Sequence, residues 1–304
     1  MKFVCRDSRA RISRICGFAL ALALSLVLSG CSYFIPTKRH LPVPKAPAIT
    51  QTVSPEDLVK QVNARWDALN TLTAKVEIYA TQTKTGAGVA TDFPSCSGYI
   101  VMRKPKMLRV LGKYFGVTIF DMASDGNLFT LVIPSKNTVI KGSNTMTARS
   151  DNQLENLRPD FFLDAIAVRG LDPDNEYVVT SDTETVADAA NKHLYIEPEY
   201  TLNVVRQKGG RELQGVRTVT FHRDDMLPYD QYVYDKDGAL ETQIFYSSYV
   251  QYSAGKYPSK VTIKRPQEGI QIVLNVEAVH ENVPAPDDQF QVTIPNGATI
   301  RELK

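Results

Sequence analysis

The side chains able to do acid–base, nucleophilic or metal chemistry in this 304-residue chain are few and scattered. Beyond the N-terminal region the histidines are His193, His222 and His280, each isolated in sequence. His222-Arg223-Asp224-Asp225 is the one run in which an imidazole and carboxylates stand together. That composition binds metal or relays protons when it lines a pocket. Here it precedes Leu227-Pro228 at a strand end, where a solvated turn is expected. Glu197-Pro198-Glu199 sets two carboxylates two residues apart, and its proline reads as a bend. No Gly-rich phosphate loop, serine nucleophile elbow or spaced zinc-ligand set occurs. The reading therefore assigns no catalytic residue, no metal ligand and no cofactor. An enzyme whose groups assemble from distant strands is the minor alternative.

The cysteines do carry chemistry. Residues 1–14 are basic, and 15–28 are almost wholly apolar with Ser25 the clearly polar member. About 14 apolar residues are short for a membrane span of ~20 but suit the core of a secretory signal. Leu28-Ser29-Gly30-Cys31 follows, and it resembles the lipobox of bacterial lipoproteins. The resemblance implies cleavage before Cys31, which becomes a diacylglycerol thioether and the acylated N-terminus. Two or three acyl chains anchor firmly where one is marginal. Ser32 rather than Asp after Cys31 resembles an outer-membrane address, with the protein facing the periplasm. Cys5 and Cys16 would leave with the signal, so Cys96 remains as the free thiol. No His or basic residue lies near it in sequence to activate it, and a buried structural thiol is expected.

Charge and composition exclude other classes. The chain has 35 Lys+Arg against 33 Asp+Glu, a formal charge of +2. Residues 1–30 hold five cations against Asp7, which leaves the remainder at −2. A body near −2 with no basic run has no electrostatic footprint for nucleic acid. Hydrophobic residues at 43% and charged residues at 22% are ordinary globular values. Residues 31–53 hold the lipidated cysteine and a tether with Pro36, Pro42, Pro44 and Pro47. Extended at ~3.1 Å per residue, it would reach roughly 60–70 Å.

The body, 54–304, must position whatever site there is. Ser54-Pro55-Glu56-Asp57 is a helix start, and Leu58, Val62, Trp66 and Leu69 follow at helical spacing. Trp66 is expected in the core. Strict alternation then begins, with Leu72, Ala74, Val76, Ile78 and Ala80 on one face. A polar stretch at 82–94 separates it from closely spaced strand signals at 96–103, 106–112, 117–124, 128–133 and 137–141. Residues 143–158 are polar and irregular. Residues 159–166 read as a short helix so apolar that it must lie buried. Strand signals resume at 177–182, 192–208, 213–223, 229–235, 240–251, 257–264, 269–279 and 290–294. Such spacing leaves no room for crossover helices, so the sheet is antiparallel. A mainly β (α+β) domain with about 11–13 strands cannot stay flat, and it must curl with helices over one face.

Several stretches resemble the LolA/LolB-like family, the periplasmic carrier and outer-membrane receptor of bacterial lipoproteins. One is the 54–70 helix running straight into a strand. A second is Gly98-Tyr99-Ile100-Val101-Met102-Arg103-Lys104-Pro105-Lys106-Met107-Leu108-Arg109-Val110, followed by Ser124-Asp125-Gly126-Asn127-Leu128-Phe129. The last runs from Tyr257-Pro258 through Asn282-Val283-Pro284 to Phe290. The resemblance implies an incomplete β-barrel capped by short helices, whose apolar cavity takes the acyl chains of lipoproteins or lipids. It implies a role in lipoprotein or lipid trafficking, or in outer-membrane insertion, with acylated cargo and a periplasmic carrier as partners.

On that frame the inward apolar positions are Val76, Ile78, Ile100, Leu108, Val110, Ile119, Val261 and Ile263. Phe161, Phe162 and Ile166 form the lid. Tyr114 and Phe115, beside Lys113 and Gly116, make a loop that resembles the receptor's membrane-contacting connection. The same side chains could instead pack a solid core or fold back onto it. The alternative function is then a structural or protein-interaction lipoprotein with a filled barrel and no ligand.

Overall fold

The computed structural model of the chain describes residues 50–84, 88–144, 158–188 and 194–303. The signal, Cys31, most of the tether, His193 and most of the 143–158 insert lie outside the described residues. Helix α1 (Pro55–Ala68) begins as its sequence dictates: Ser54 is extended, and its hydroxyl accepts from the Asp57 amide at 3.1 Å. Leu58 and Val62 are its buried residues. The second helix, α2 (Pro159–Ile166), coincides with the apolar segment, and seven of its eight residues are buried.

All fourteen strands join one sheet. The chain enters at its middle with β1 (Thr71–Lys84) and meanders outward. That meander runs through β2 (Val89–Arg103), β3 (Met107–Tyr114), β4 (Val117–Ser124), β5 (Leu128–Ile133) and β6 (Thr138–Ser143). It then passes to the opposite edge, carrying α2, and starts again at β7 (Glu176–Asp188). The return meander is β8 (Leu194–Gly209), β9 (Glu212–His222), β10 (Pro228–Tyr234), β11 (Leu240–Tyr252), β12 (Gly255–Arg265) and β13 (Ile270–Glu281). β13 closes on β1, and β14 (Thr299–Glu302) finally pairs with β6. The result is one large curled sheet that does not close into a barrel. Its two edges are β14 and β7.

Four details differ from the sequence reading. The polar 82–94 stretch is largely strand, because β1 and β2 form a long hairpin whose register runs from Thr71↔Arg103 out to Lys84↔Val89. Glu197-Pro198-Glu199 lies inside β8 rather than at a bend, paired on both sides (Glu197↔Thr185, Glu199↔His222). Residues 290–294 are not a strand: a 3₁₀ turn at Asp287–Phe290 buries Phe290 instead. The sheet is not wholly antiparallel either, since β14 runs parallel to β6. The 282–298 segment carries the chain from β13, in the middle of the sheet, to the β6 edge, and that long crossing permits the parallel pair.

Alternation along the strands sends one face inward. Val76, Ile100, Leu108, Val110, Ile244, Val261 and Ile263 join α2's Phe161, Phe162 and Ile166 in a single buried cluster. A smaller cluster seats α1's Leu58 and Val62 on Tyr200, Leu202, Val219 and Phe221.

Candidate apolar site beneath the lid helix

Helix α2 is held to the sheet at its C-terminal end. Its last carbonyls need partners, and the sheet supplies them. Gln231 Nε2 and the Tyr246 hydroxyl both donate to the Asp164 oxygen, at 3.0 and 3.2 Å. The Tyr257 hydroxyl donates to the Ile166 oxygen. Burial pushes the Tyr246 and Tyr257 phenols above their ordinary range, so both stay protonated donors. Asp164 pairs with Arg169 at 2.8 Å. Past the helix, Arg217 donates to the Gly170 oxygen at 2.9 Å and pairs with Glu176. The Leu171 amide donates to Asn63 of α1 at 2.9 Å. At the N-terminal end Arg158 is extended and gives no side-chain cap, and its guanidinium lies 5.4 Å over the Phe129 ring.

Two cavities flank this helix. The first has a volume of about 280 Å³. Phe162 closes it, and Ile78, Cys96, Ile119, Phe120, Met122 and Leu131 are among its walls. Phe93 also lines it, and Thr81, Gln82 and Lys136 add polar groups. The second cavity is about 480 Å³ and lies toward the start of β1. Ile166, Trp66, Leu69, Tyr246, Tyr249 and Tyr257 wall it, with Arg65, Lys256, Asp225 and Glu281 adding charge.

The sequence-picked positions therefore separate. Ile78, Ile119 and Phe162 line the apolar cavity, and Ile166 lines the larger one. Val76, Ile100, Leu108, Val110, Val261 and Ile263 are at most 1% exposed and line neither. Phe161 points elsewhere: its ring lies 5.5 Å from the buried Arg265 guanidinium, which pairs with Glu268. Sequence reasoning missed Phe120, Met122 and Leu131. Phe120 stands where the β3–β4 register shifts at Gly112, and a Cβ on Gly112 would come within 2.3 Å of its ring. A strict period of two cannot find a residue displaced by a bulge. Cys96 is buried in the cavity wall, and burial raises its thiol pKa, with Glu77 adding to the shift. Trp66 is only partly buried; Lys104 Nζ sits 4.8 Å from its ring.

The loop at 114–117 is a two-residue hairpin. Tyr114 pairs with Val117, and both central residues, Phe115 and Gly116, have positive φ (46° and 81°). That is the backbone sense of a type I′ turn, which favours Asn-Gly. A phenylalanine there stands in the left-handed region, at a cost of roughly 1–2 kcal/mol. It gains no burial in return, being 90% exposed. Tyr114 lies edge-on to it at 4.6 Å, and Val117 is also exposed. The hairpin leads directly into Ile119 and Phe120 of the cavity wall. Among the described residues no helix is long and apolar enough to cross a membrane.

No family model and no curated protein matches the chain. Similar solved structures include a DUF1329 family protein from Desulfovibrio piger, at 16% identity and TM-score 0.49, covering 77% of this chain and 95% of that one. They also include a putative outer-membrane lipoprotein-sorting protein domain from Vibrio parahaemolyticus, at 12% identity and TM-score 0.47, covering 77% and 94%. The structural neighbours of the chain further include a LolA superfamily protein from Nitrosomonas europaea, at 11% identity and TM-score 0.49, covering 79% of this chain and 99% of that one.

Proposed function

We propose that this chain is a lipid-anchored envelope protein that shelters an acyl chain of a lipoprotein or lipid in the apolar cavity under α2, and acts by binding and release rather than by covalent chemistry. The observation that carries this reading is the 280 Å³ cavity walled by apolar side chains and closed by Phe162 of a short helix whose last carbonyls the sheet holds by hydrogen bonds. Ligand pockets span roughly 300–1,000 Å³, so the closed form suits part of a chain, and withdrawal of Phe162 makes room for more. Each buried methylene contributes ~0.8 kcal/mol, and eight would contribute about 6 kcal/mol before entropy costs. Phe162 competes for the same space, which keeps an otherwise tight complex reversible.

The anchoring at Cys31 rests on the sequence of the N-terminal segment, and its address is the periplasmic face of the outer membrane. The exposed Phe115 turn supports a membrane-facing orientation for the β3–β4 end of the sheet. Tyr114 suits headgroup depth, and Lys113 suits anionic lipid.

Native mass spectrometry of the full chain, extracted from a bacterial envelope in mild detergent, tests the reading. Acyl lipid or acylated lipoprotein should travel with the parent and be lost with Phe162→Asp. A bare mass that stays bare after incubation with lipid and lipoprotein would overturn the proposal in favour of a filled half-barrel.

A further inference from the structure

The two polar runs of the sequence, Glu197-Pro198-Glu199 and His222-Arg223-Asp224-Asp225, are brought together by the β8–β9 register. Glu199 lies directly opposite His222. Glu197 shares the face of Glu199 because side chains two apart on a strand point the same way. This is the outer face: Tyr200 and Phe221, the next residues on each strand, point inward to the cluster under α1. One ligand atom each from Glu197, Glu199 and His222 lies within 4.8 Å of the others.

A second observation is independent of that triad. On the next strand, Asp230 pairs with Thr220, two residues from His222 on the same face. Asp230 is only 8% exposed, yet its Oδ1 has no hydrogen-bond partner. Thr220 hydrogen-bonds the carboxyl, and Glu199 and His222 are its charged neighbours. Among the described residues no lysine or arginine pairs with Glu197 or Asp230. Two carboxylates thus stand beside one imidazole with a third carboxyl on the adjoining strand, a donor set that a cation would suit. The surrounding groups are also arranged as metal sites require. The Tyr229 phenol donates to Glu199, and its ring stacks on His222 at a centroid distance of 4.0 Å. Such outer contacts fix the orientation of ligands.

We infer that Glu197, Glu199 and His222 form a site for a divalent transition ion of the zinc type on the outer face of the sheet, with Asp230 on the adjoining strand adding negative charge. One imidazole with carboxylates is a donor set suited to zinc rather than to the all-oxygen environment of calcium or magnesium. Zinc holds nitrogen and oxygen donors tetrahedrally at about 2.0–2.2 Å, so two ligand atoms of one ion are about 3.3–3.6 Å apart. The observed 4.8 Å spread closes when side-chain rotations bring the ligand atoms about 1.2–1.5 Å nearer one another. The bound ion would clamp β8 to β9, one strand in from the open β7 edge at its nearest.

Zinc alone is the probe. The full chain in detergent, stripped with a chelator, is titrated with Zn²⁺ and followed by calorimetry and thermal melting. The expected result is one ion per chain, a melting point that climbs with zinc concentration, and at least tenfold weaker binding in Glu197→Gln and His222→Gln. Glu197→Gln is isosteric at a half-buried position, so it reports on binding even where His222→Gln folds poorly. No zinc dependence in the parent would overturn the site. So would unchanged zinc affinity in both variants, or stabilisation by calcium without stabilisation by zinc.

Discussion

The buried phenol of Tyr246 donates across 3.2 Å to the main-chain oxygen of Asp164, which also accepts from Gln231 at 3.0 Å. The sheet thus grips the lid helix by its backbone just past Phe162, toward the C-terminal end. Tyr246→Phe removes one of the two donors and leaves the oxygen with Gln231. A net hydrogen bond is worth about 1 kcal/mol, and that corresponds to roughly fivefold in an opening equilibrium. Hydrogen exchange of the α2 amides should therefore speed up about fivefold, with the amides of β1 and β13 unchanged. Equal acceleration everywhere would mean that α2 opens only with the whole sheet.

Phe162 fills space that a ligand would use. Phe162→Ala should cost about 3–5 kcal/mol, as large-to-small changes in a core do. The enlarged cavity should then gain more from a filler than the parent does. A saturating medium-chain fatty alcohol should raise the melting point of the variant by several degrees more than that of the parent. Equal shifts would show that the alcohol binds elsewhere. Phe161→Ala is the contrasting change, since its ring lies by Arg265 and does not line the cavity.

The Phe115 turn sets local stability against exposure. Phe115→Asn places a residue that tolerates positive φ in a turn that demands it, and should stabilise the chain by about 1 kcal/mol in chemical denaturation. The same variant should bind anionic vesicles more weakly in flotation assays run on protein freed of its acyl anchor. A stabilised variant with undiminished vesicle binding would remove the turn from any membrane role.

How far these features could be read from sequence depends on the kind of signal each one leaves. The first turn of α1 was legible because Ser54, Pro55 and Asp57 act on their own neighbours. The limits of α2 were legible because an apolar octet begins with Pro159. What escaped is long-range. β14 is only four residues, and all four are exposed, so no alternation marks it. Phe161 and Phe162 are adjacent and equally apolar. Only the packed helix shows that one meets Arg265 while the other closes a cavity. The meeting of Glu199 with His222 depends on the register of a hairpin whose irregularities lie at Val204/Val205 and Gln207/Gly209. A shift of one residue there would have placed them on opposite faces.

Acidity should act on the lid through Asp160. This half-buried carboxyl lies one turn from Asp164, and burial followed by that neighbour raises its pKa above the ordinary 3.8, against the pull of Lys106 and Arg169. A carboxyl with a raised folded pKa binds its proton more tightly in the folded state. Below the ordinary value both states are protonated, and the group costs nothing. As pH climbs through the folded pKa the folded state must ionise it, and stability falls. Asp160→Asn removes that penalty and also gives up a small favourable interaction of an acid in the first helical turn. The difference in melting point, variant minus parent, should therefore grow more positive between pH 4 and pH 7. Once the intrinsic pH dependence of exchange is divided out, α2 amides should also be more protected at the acidic end in the parent alone. Melting curves that run parallel across that range would show that Asp160 ionises freely in the folded chain and that the lid is indifferent to pH.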